Sequence, residues 1–556
     1  GARRGLVTTA AIGALGALVA LPQLVATARV LPFTFRGAHG LPPEEVGFYA
    51  LHPVRLLELA LPLPFGHPGE LGALRFWGGS LVPVLPLILS LYFGAVGLAL
   101  ALAGARRQRS QGSPRAWAAL AVAGLGAAWA GGIWSRPLAL LSAGLFRYPE
   151  KFLFWTALAA ALLAGWGLEE VLARPRRWSL AVAAGAAAAL ALAALATISL
   201  PALARWAVAA GVPPGMGEAR AGLWVRQLLL LGLLLAAAAW AARRRSAGGL
   251  LLVQLAALLQ LSPLVLTDST AGLAAPSPWA ARLGRGTAVV DGTEPWPFFP
   301  PPPEYRILGD SLAVRNRLAA LDLNAAPGVL HGLTYPLAPD IDGFASPLYT
   351  LTVRNLPHLD WTKRVSWMRS SGVQAVVLAA DPGVQGLERI DAASRFGVVT
   401  GLYRVRDPAP EAWWPQGVTA VAGPMEAFGA VSRANDPVAQ VAVPGRLAHD
   451  PRGRLRLLAF QPDRVVLETE GGGGVAVIRR AFEPLLVASS GGQRLATLPV
   501  NLDLTGVIVP PGRRRVVLEV SAWPEAVAGA IALLALAAAL IVGLWPGSSG
   551  LQRKPV

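Results

Sequence analysis

Seven consecutive residues carry the strongest chemical signal in this sequence: Phe146-Arg147-Tyr148-Pro149-Glu150-Lys151-Phe152. A guanidinium grips phosphate in a planar fork and an ammonium adds a point charge. Arg147 and Lys151 are therefore a candidate pair for a phosphate group. The plainer reading is that both side chains snorkel to lipid phosphates and anchor a helix. Carboxylates that could act as acid or base stand in the same layer of loops, with Glu44, Glu45 and Glu150 as candidates beside Glu58, Glu70 and Glu218. No two of them have a spacing diagnostic of paired acid–base work. His39, His52 and His67 share one loop but fall 13 and 15 residues apart among prolines, a poor pattern for a metal site.

Other motifs carry less. Gly471 to Gly474 lies between two strand patterns, so it lacks the following helix that a phosphate-cradling loop requires and reads as a hairpin turn. Asp340-Ile341-Asp342-Gly343 lacks the remaining ligands of a calcium loop and also reads as a turn. No serine sits in a nucleophile elbow. The chain has no cysteine, which excludes disulfides, thiolate metal sites and a thiolate nucleophile.

These residues must be positioned by a membrane scaffold. A helix rising about 1.5 Å per residue needs about 20 apolar residues to cross a hydrocarbon core about 30 Å thick. Eight runs qualify: Gly5–Ala28, Phe76–Gly104, Ala116–Trp134, Phe152–Ala173, Ser179–Leu200, Leu223–Ala242, Gly248–Leu266 and Glu525–Leu544. Basic residues concentrate before the first run (Arg3, Arg4) and in every second connection, at Arg106 to Arg115, Arg174 to Arg177, Arg243 to Arg245 and after the last run. By the positive-inside rule those connections are cytoplasmic. Loops 30–75, 135–151 and 201–222, and the long insert 268–522, then lie outside. The formal net charge of +17 is explained by this topology and by anionic lipid, and no nucleic-acid partner is expected. A hydrophobic content of 54% with 15% charged residues agrees. The chain opens on Gly1 with a full-length apolar run and no cleavage pattern, so the expectation is a fragment that lacks upstream helices.

The expected fold class is a polytopic α-helical membrane protein. About seven helices occupy 1–267, a Pro-rich linker 268–304, an extracytoplasmic α/β subdomain 305–412 and an antiparallel β-sandwich 413–522. A final transmembrane helix spans 523–545 and a cytoplasmic tail 546–556. The α/β reading rests on helix candidates Ser311–Leu323 and Leu359–Ser371 beside strand candidates Val373–Leu378 and Gly401–Val405. From about Trp413 the pattern is β only, with short runs from Arg454–Ala459 to Arg514–Val520 separated by turn residues.

Read in order, several segments resemble the YfhO-type bacterial membrane protein family. They are Leu21-Pro22-Gln23-Leu24, His52-Pro53 through Pro64-Phe65-Gly66, and Arg147-Tyr148-Pro149-Glu150-Lys151-Phe152 followed by Leu163 to Glu169 with Gly165 and Gly167. Ile341-Asp342-Gly343-Phe344, Gly372 to Val377, Leu402-Tyr403-Arg404-Val405 and the strands ending Gly506 to Pro510 and Val516–Val520 continue the likeness. Where that family has an aromatic-Pro-Gly-Trp turn, this chain has Phe482-Glu483-Pro484-Leu485-Leu486. The resemblance implies a C-type glycosyltransferase architecture in the bacterial cytoplasmic membrane. Such a protein moves a sugar from a polyprenyl-phosphate carrier to a cell-envelope polymer on the outer face. Arg147 and Lys151 would then contact the donor phosphate, while the catalytic carboxylate and any cofactor stay unassigned. Two other classes compete: a non-catalytic envelope scaffold or glycan-binding protein, and a transporter or flippase of lipid-linked saccharide, which would need polar residues at membrane depth. Gln254 and Gln260 are among the few in the apolar runs.

Overall fold

The computed structural model describes residues 2–47, 50–65, 88, 90–106, 114–129, 135–209, 215, 217–262, 277–291, 329–338, 340, 343–395 and 398–544. Its helical part comprises α1 (Ala2–Val19), α2 (Leu21–Val30), α3 (Ala95–Ala105), α4 (Pro114–Ala128), α5 (Leu153–Ala173), α6 (Pro175–Ile198), α7 (Gly217–Arg243) and α8 (Ala247–Leu259). Further helices are α9 (Pro278–Leu283), α10 (Trp361–Ser370), α11 (Pro424–Arg433) and α12 (Trp523–Leu544).

Among the described residues four helical stretches are long and apolar enough to cross a membrane: 149–173, 175–198, 217–243 and 523–541. A fifth arises if the pair α1 and α2, bent by 65°, forms one span. Their outward faces carry exposed Leu180, Ile198, Trp240, Leu533 and Leu534, the kind of surface that needs lipid rather than water as solvent.

The eight expected spans are thus corrected in several places. The first run breaks at Ala20, because Pro22 cannot donate to the preceding turn and instead opens α2. In the second run, Leu91 to Gly94 are irregular and helix begins only at Ala95, after Gly94 with φ 84°; residues 76–87 lie outside the described residues. The seventh helix ends at Leu259, short of Leu266, in keeping with Pro263, which disfavours helical backbone at the residue before it.

The helices meet through small residues. A Cβ on Gly104 would come within 1.9 Å of Leu163 O, and one on Gly167 within 1.7 Å of Leu100 O, so α3 and α5 touch backbone to backbone. At Gly124 the neighbour is Thr156 of α5, whose hydroxyl donates to Ala121 O at 3.1 Å. The α1/α2 pair packs against α12, where Arg29 pairs with Glu525 and donates to Ser521 O.

The polar region begins earlier than expected. Helix α9 and strand β1 (Val289–Asp291) fall inside the stretch read as a linker, yet Trp279 and Val289 are fully buried. Strand β1 pairs in parallel with β2 (Ala375–Leu378), followed by β4 (Val398–Val405) and β3 (Leu387–Arg395) in antiparallel order. All four residues of β2 are buried: Ala375 and Val377 pack towards Trp279, Val376 and Leu378 towards Trp367 and Met368 of α10. The linker boundary is corrected accordingly for 277–291. Pro295 to Pro303 and the helix candidate 311–323 lie outside the described residues.

A second correction follows Trp413. Strands β6 (Gly417–Val421) and β7 (Gln440–Pro444) are parallel and joined by α11, a βαβ unit rather than β structure alone. Its Phe428 stacks on Trp367, which ties it to the α/β sheet. The antiparallel part is two facing sheets. One has the order β13-β14-β10-β5 (Thr497–Val500, Leu504–Val509, Gly474–Ala481, Ala412–Trp413). The other runs β12-β11-β15-β9-β8 (Gln493–Leu495, Leu486–Ser490, Arg514–Val520, Arg464–Glu470, Arg454–Phe460). Their inner faces share a core of Val465, Leu467, Ala476, Ile478, Val507 and Leu518.

Candidate functional site

The candidate segment lies between the short helix Ser135–Leu141 and α5. Ser142 Oγ donates to Leu138 O at 2.7 Å, and Ala143 and Gly144 take left-handed conformations that reverse the chain. Gly144 stands against Gly40: a Cβ on it would meet Gly40 Cα at 2.7 Å, and Leu41 N donates to Gly144 O at 3.0 Å. The loop carrying Arg147 is thereby welded to the loop that follows α2. That loop in turn holds the polar domain, through Phe35 N to Ala345 O at 2.8 Å and Arg36 N to Gly343 O at 2.9 Å.

Tyr148 is buried and sits at φ 67°, ψ 77°, a left-handed conformation that costs a non-glycine residue about 1–3 kcal/mol. Pro149 then starts the 3-10 turn Pro149–Phe152 that runs into α5. The strained turn places both cations on one ring: Arg147 Cζ lies 4.5 Å and Lys151 Nζ 4.9 Å from the Tyr148 centroid. Arg147 is half-buried and Lys151 exposed. Phe146 and Phe152 stack at 4.7 Å beneath this turn.

Glu150 points the other way. It is 1% exposed and pairs with Arg55 Nη1, while Arg55 also holds Glu58 with Nε and Nη2 at 2.9 and 3.0 Å. Both carboxylates additionally accept from the irregular backbone before α3, Glu150 from Ile88 N at 2.9 Å and Glu58 from Leu91 N at 3.1 Å, and Arg55 Nη2 donates to Ile88 O at 2.6 Å. Non-helical backbone among membrane helices must find internal partners. The Arg55–Glu58–Glu150 cluster supplies them, and Gln254 does the same at Gly97 N (2.7 Å) and Phe93 O (2.8 Å). Sequence reasoning missed this cluster as a unit; the signal available was Arg55 and Glu58 three apart in an otherwise apolar stretch.

The remaining candidates separate. Glu45 pairs with Arg354 of the polar domain at 3.2 Å, whereas Glu44 is exposed. His39 stacks on Phe35, and His52 Nδ1 accepts from Val54 N as a helix cap. Glu218 is exposed in the first turn of α7. Glu70 and His67 lie outside the described residues. No group of three or more His, Asp or Glu that could hold a metal ion occurs among the described residues. Asp340 accepts from Phe344 N, Ala345 N and Thr350 Oγ1, which makes it the brace of a turn.

Further from the loop, a cavity of about 240 Å³ opens where the end of α2 meets the polar domain, lined by Phe33, Phe344, Tyr349, Phe482, Glu483 and Leu485 among others. Burial pushes the Tyr349 phenol up, and the nearby Asp503 and Asp340 carboxylates add to the effect. Asp503 itself is buried and pushed up to about 7 by desolvation. No family model, curated protein or solved structure matches this chain.

Proposed function

We propose that this chain is a membrane glycosyltransferase-like protein, which moves a sugar from a polyprenyl-phosphate carrier to a cell-envelope polymer on the outer face of the bacterial cytoplasmic membrane. The observation that carries the proposal is the pair Arg147 and Lys151 on the Tyr148 ring, at the start of a helix long enough to span the bilayer. Two cations gathered on one strained turn repel each other, and an anion between them relieves that repulsion. In the transfer step the acceptor hydroxyl oxygen attacks the anomeric carbon, the bond from that carbon to the phosphate oxygen breaks, and the electron pair leaves with the lipid phosphate. Arg147 and Lys151 would stabilise that developing charge. The hydroxyl proton goes to a carboxylate. Of Glu44, Glu45 and Glu150, Glu44 is the one both exposed and outside an ion pair among the described residues, and it is the proposed base.

The orientation belongs to the same reading. The candidate loop and the polar domain share one end of the helices, and Arg174, Arg176 and Arg177 lie at the opposite end of α5, about 31 Å away at 1.5 Å per residue, which supports an extracytoplasmic domain. The test is transfer in proteoliposomes with a polyprenyl-phosphate sugar. Replacing Arg147 and Lys151 together by Ala should lower transfer at least a hundredfold while membrane insertion is retained, and full activity of that double variant would remove the assignment.

One observation favours a second reading, the non-catalytic glycan-binding scaffold: Glu150 and Glu58 are both committed to Arg55. Retained binding of lipid-linked sugar with no transfer by any full-length preparation would select it. A transporter has less support, because Gln254, a polar residue in the apolar helices, is occupied in capping α3.

A further inference from the structure

Over the polar stretch 268–522 the charge is nearly balanced, with 25 Lys and Arg against 23 Asp and Glu. One sheet face departs from that balance. In the sheet containing β8, β9 and β15 the inward residues are Leu455, Leu457, Val465, Leu467, Val516 and Leu518. Alternation therefore turns Arg454, Arg456, Glu468, Glu470 and Arg515 outward. Register sets Arg456 and Arg515 opposite Glu468 from both sides, and Arg513 donates to the same carboxylate at 2.7 and 2.9 Å. Arg454 faces Glu470 in the next row. At this end of the face four guanidinium groups meet two carboxylates, the Arg464–Glu519 pair at 3.7 Å nearer the other end cancels, and the face keeps a cationic excess.

Position selects the partner. Strand β15 ends at Val520, just before α12 starts at Trp523, so its last residues are the membrane-proximal ones. Arg513 to Arg515 stand at the other end of the strand, up to about 20 Å away at about 3.3 Å per residue. That exceeds the Debye length of about 8 Å at physiological salt, beyond which lipid headgroups are screened. The membrane-proximal end of β8 instead exposes Leu458 and Phe460. Guanidinium groups on or beside β8 and β15, the two strands flanking β9, stand two steps of about 4.8 Å apart across the sheet and about 6.7 Å apart along it, and so span more than a single small anion. They suit a chain whose negative charges repeat.

We propose that the outer face of this sheet, centred on Arg456, Arg513 and Arg515 around Glu468, is a docking surface for an extended polyanionic polymer. Arg forks bind its anionic groups, and Glu468 weakens the surface while holding the three side chains in register. The inference does not depend on sugar transfer, and either can fail without the other.

The experiment uses the full chain in nanodiscs of zwitterionic lipid, with fluorescent long-chain inorganic polyphosphate as the probe. The basic connectors elsewhere give a background common to all variants. Arg456→Gln/Arg513→Gln/Arg515→Gln should weaken binding at least tenfold and flatten the dependence of log affinity on log salt. Glu468→Gln should tighten binding several-fold, an opposite sign that misfolding does not mimic. Unchanged affinity in the triple variant, weaker binding in Glu468→Gln, or loss confined to phosphatidylglycerol vesicles with polyphosphate binding intact would each overturn the proposal.

Discussion

At the scale of single residues, the structure separates charges buried in ion pairs from the half-buried and exposed cations of the candidate loop. Arg55, Glu58 and Glu150 are all buried, and one guanidinium serves two carboxylates. Removing the shared cation is the worst change, because it strands two buried carboxylates. Arg55→Met should cost about 3–5 kcal/mol. Glu150→Gln leaves the Arg55–Glu58 pair and an acceptor for Ile88 N, so it should cost less, and transfer should fall only in step with the melting temperature. A Glu150→Gln protein of normal stability with no transfer would return Glu150 to an acid–base role. Asp503 makes a pH prediction. Its folded value, about 7, lies above the ordinary 3.8, so the folded state holds a proton that the unfolded state releases. Stability contributed by this group is full below about pH 4, falls as pH rises towards 7, and is level above. Asp503→Asn should remove that slope in thermal melts of the full chain between pH 4 and 7 and raise stability at pH 8, by on the order of 4 kcal/mol at most.

At the scale of elements, close approach of helices is set by particular glycines. Gly167 lies against the Leu100 carbonyl, while a Cβ on Gly165 meets nothing within 4 Å. Gly167→Val should therefore force α3 and α5 apart and cost about 3 kcal/mol or more. Gly165→Ala should be neutral or stabilise by about 0.5–1 kcal/mol. Equal effects in detergent melts would contradict backbone packing at Gly167. The contrast also shows what was legible beforehand. The run 152–173 predicts a helix from composition alone, and residues 153–173 form one, but the sequence pattern does not say which of two glycines touches a neighbour. Length of an apolar run is a poor guide where proline intervenes, as at Pro22, or where a left-handed glycine does, as at Gly94. Strands β8, β9, β10, β14 and β15 were readable because apolar runs and turn residues agree over each short stretch, whereas β11 was not read and β12 and β13 were read as one run, Arg494–Pro499. Strand β1 was not, since three residues among Pro and Gly give no period, and α11 was hidden inside a stretch read as β.

At the scale of the whole molecule, the two cations of the candidate site were visible from their position on a cation-poor loop, whereas the buried carboxylate cluster depends on contacts across 95 residues of chain, from Arg55 to Glu150. The same charge pattern makes a statement about sidedness that the helices can test. Arg177 lies in the first turn of α6, next to its junction with α5, and Arg244 stands at the turn joining α7 to α8, while Met425 lies exposed on the polar domain. The chain contains no cysteine, so single replacements give a clean readout. Met425→Cys in intact cells with a permeable outer layer should react with a membrane-impermeant maleimide, and Arg177→Cys or Arg244→Cys should react only after the membrane is opened. Interfacial position alone does not decide this, because both ends of a helix bundle carry polar residues; only the segregation of Arg does. Labelling of Arg244→Cys in sealed cells would invert the assignment and place Arg147 and Lys151 on the cytoplasmic side. The same turn would then meet a different pool of phosphate, and the donor would have to be sought among cytoplasmic sugar phosphates.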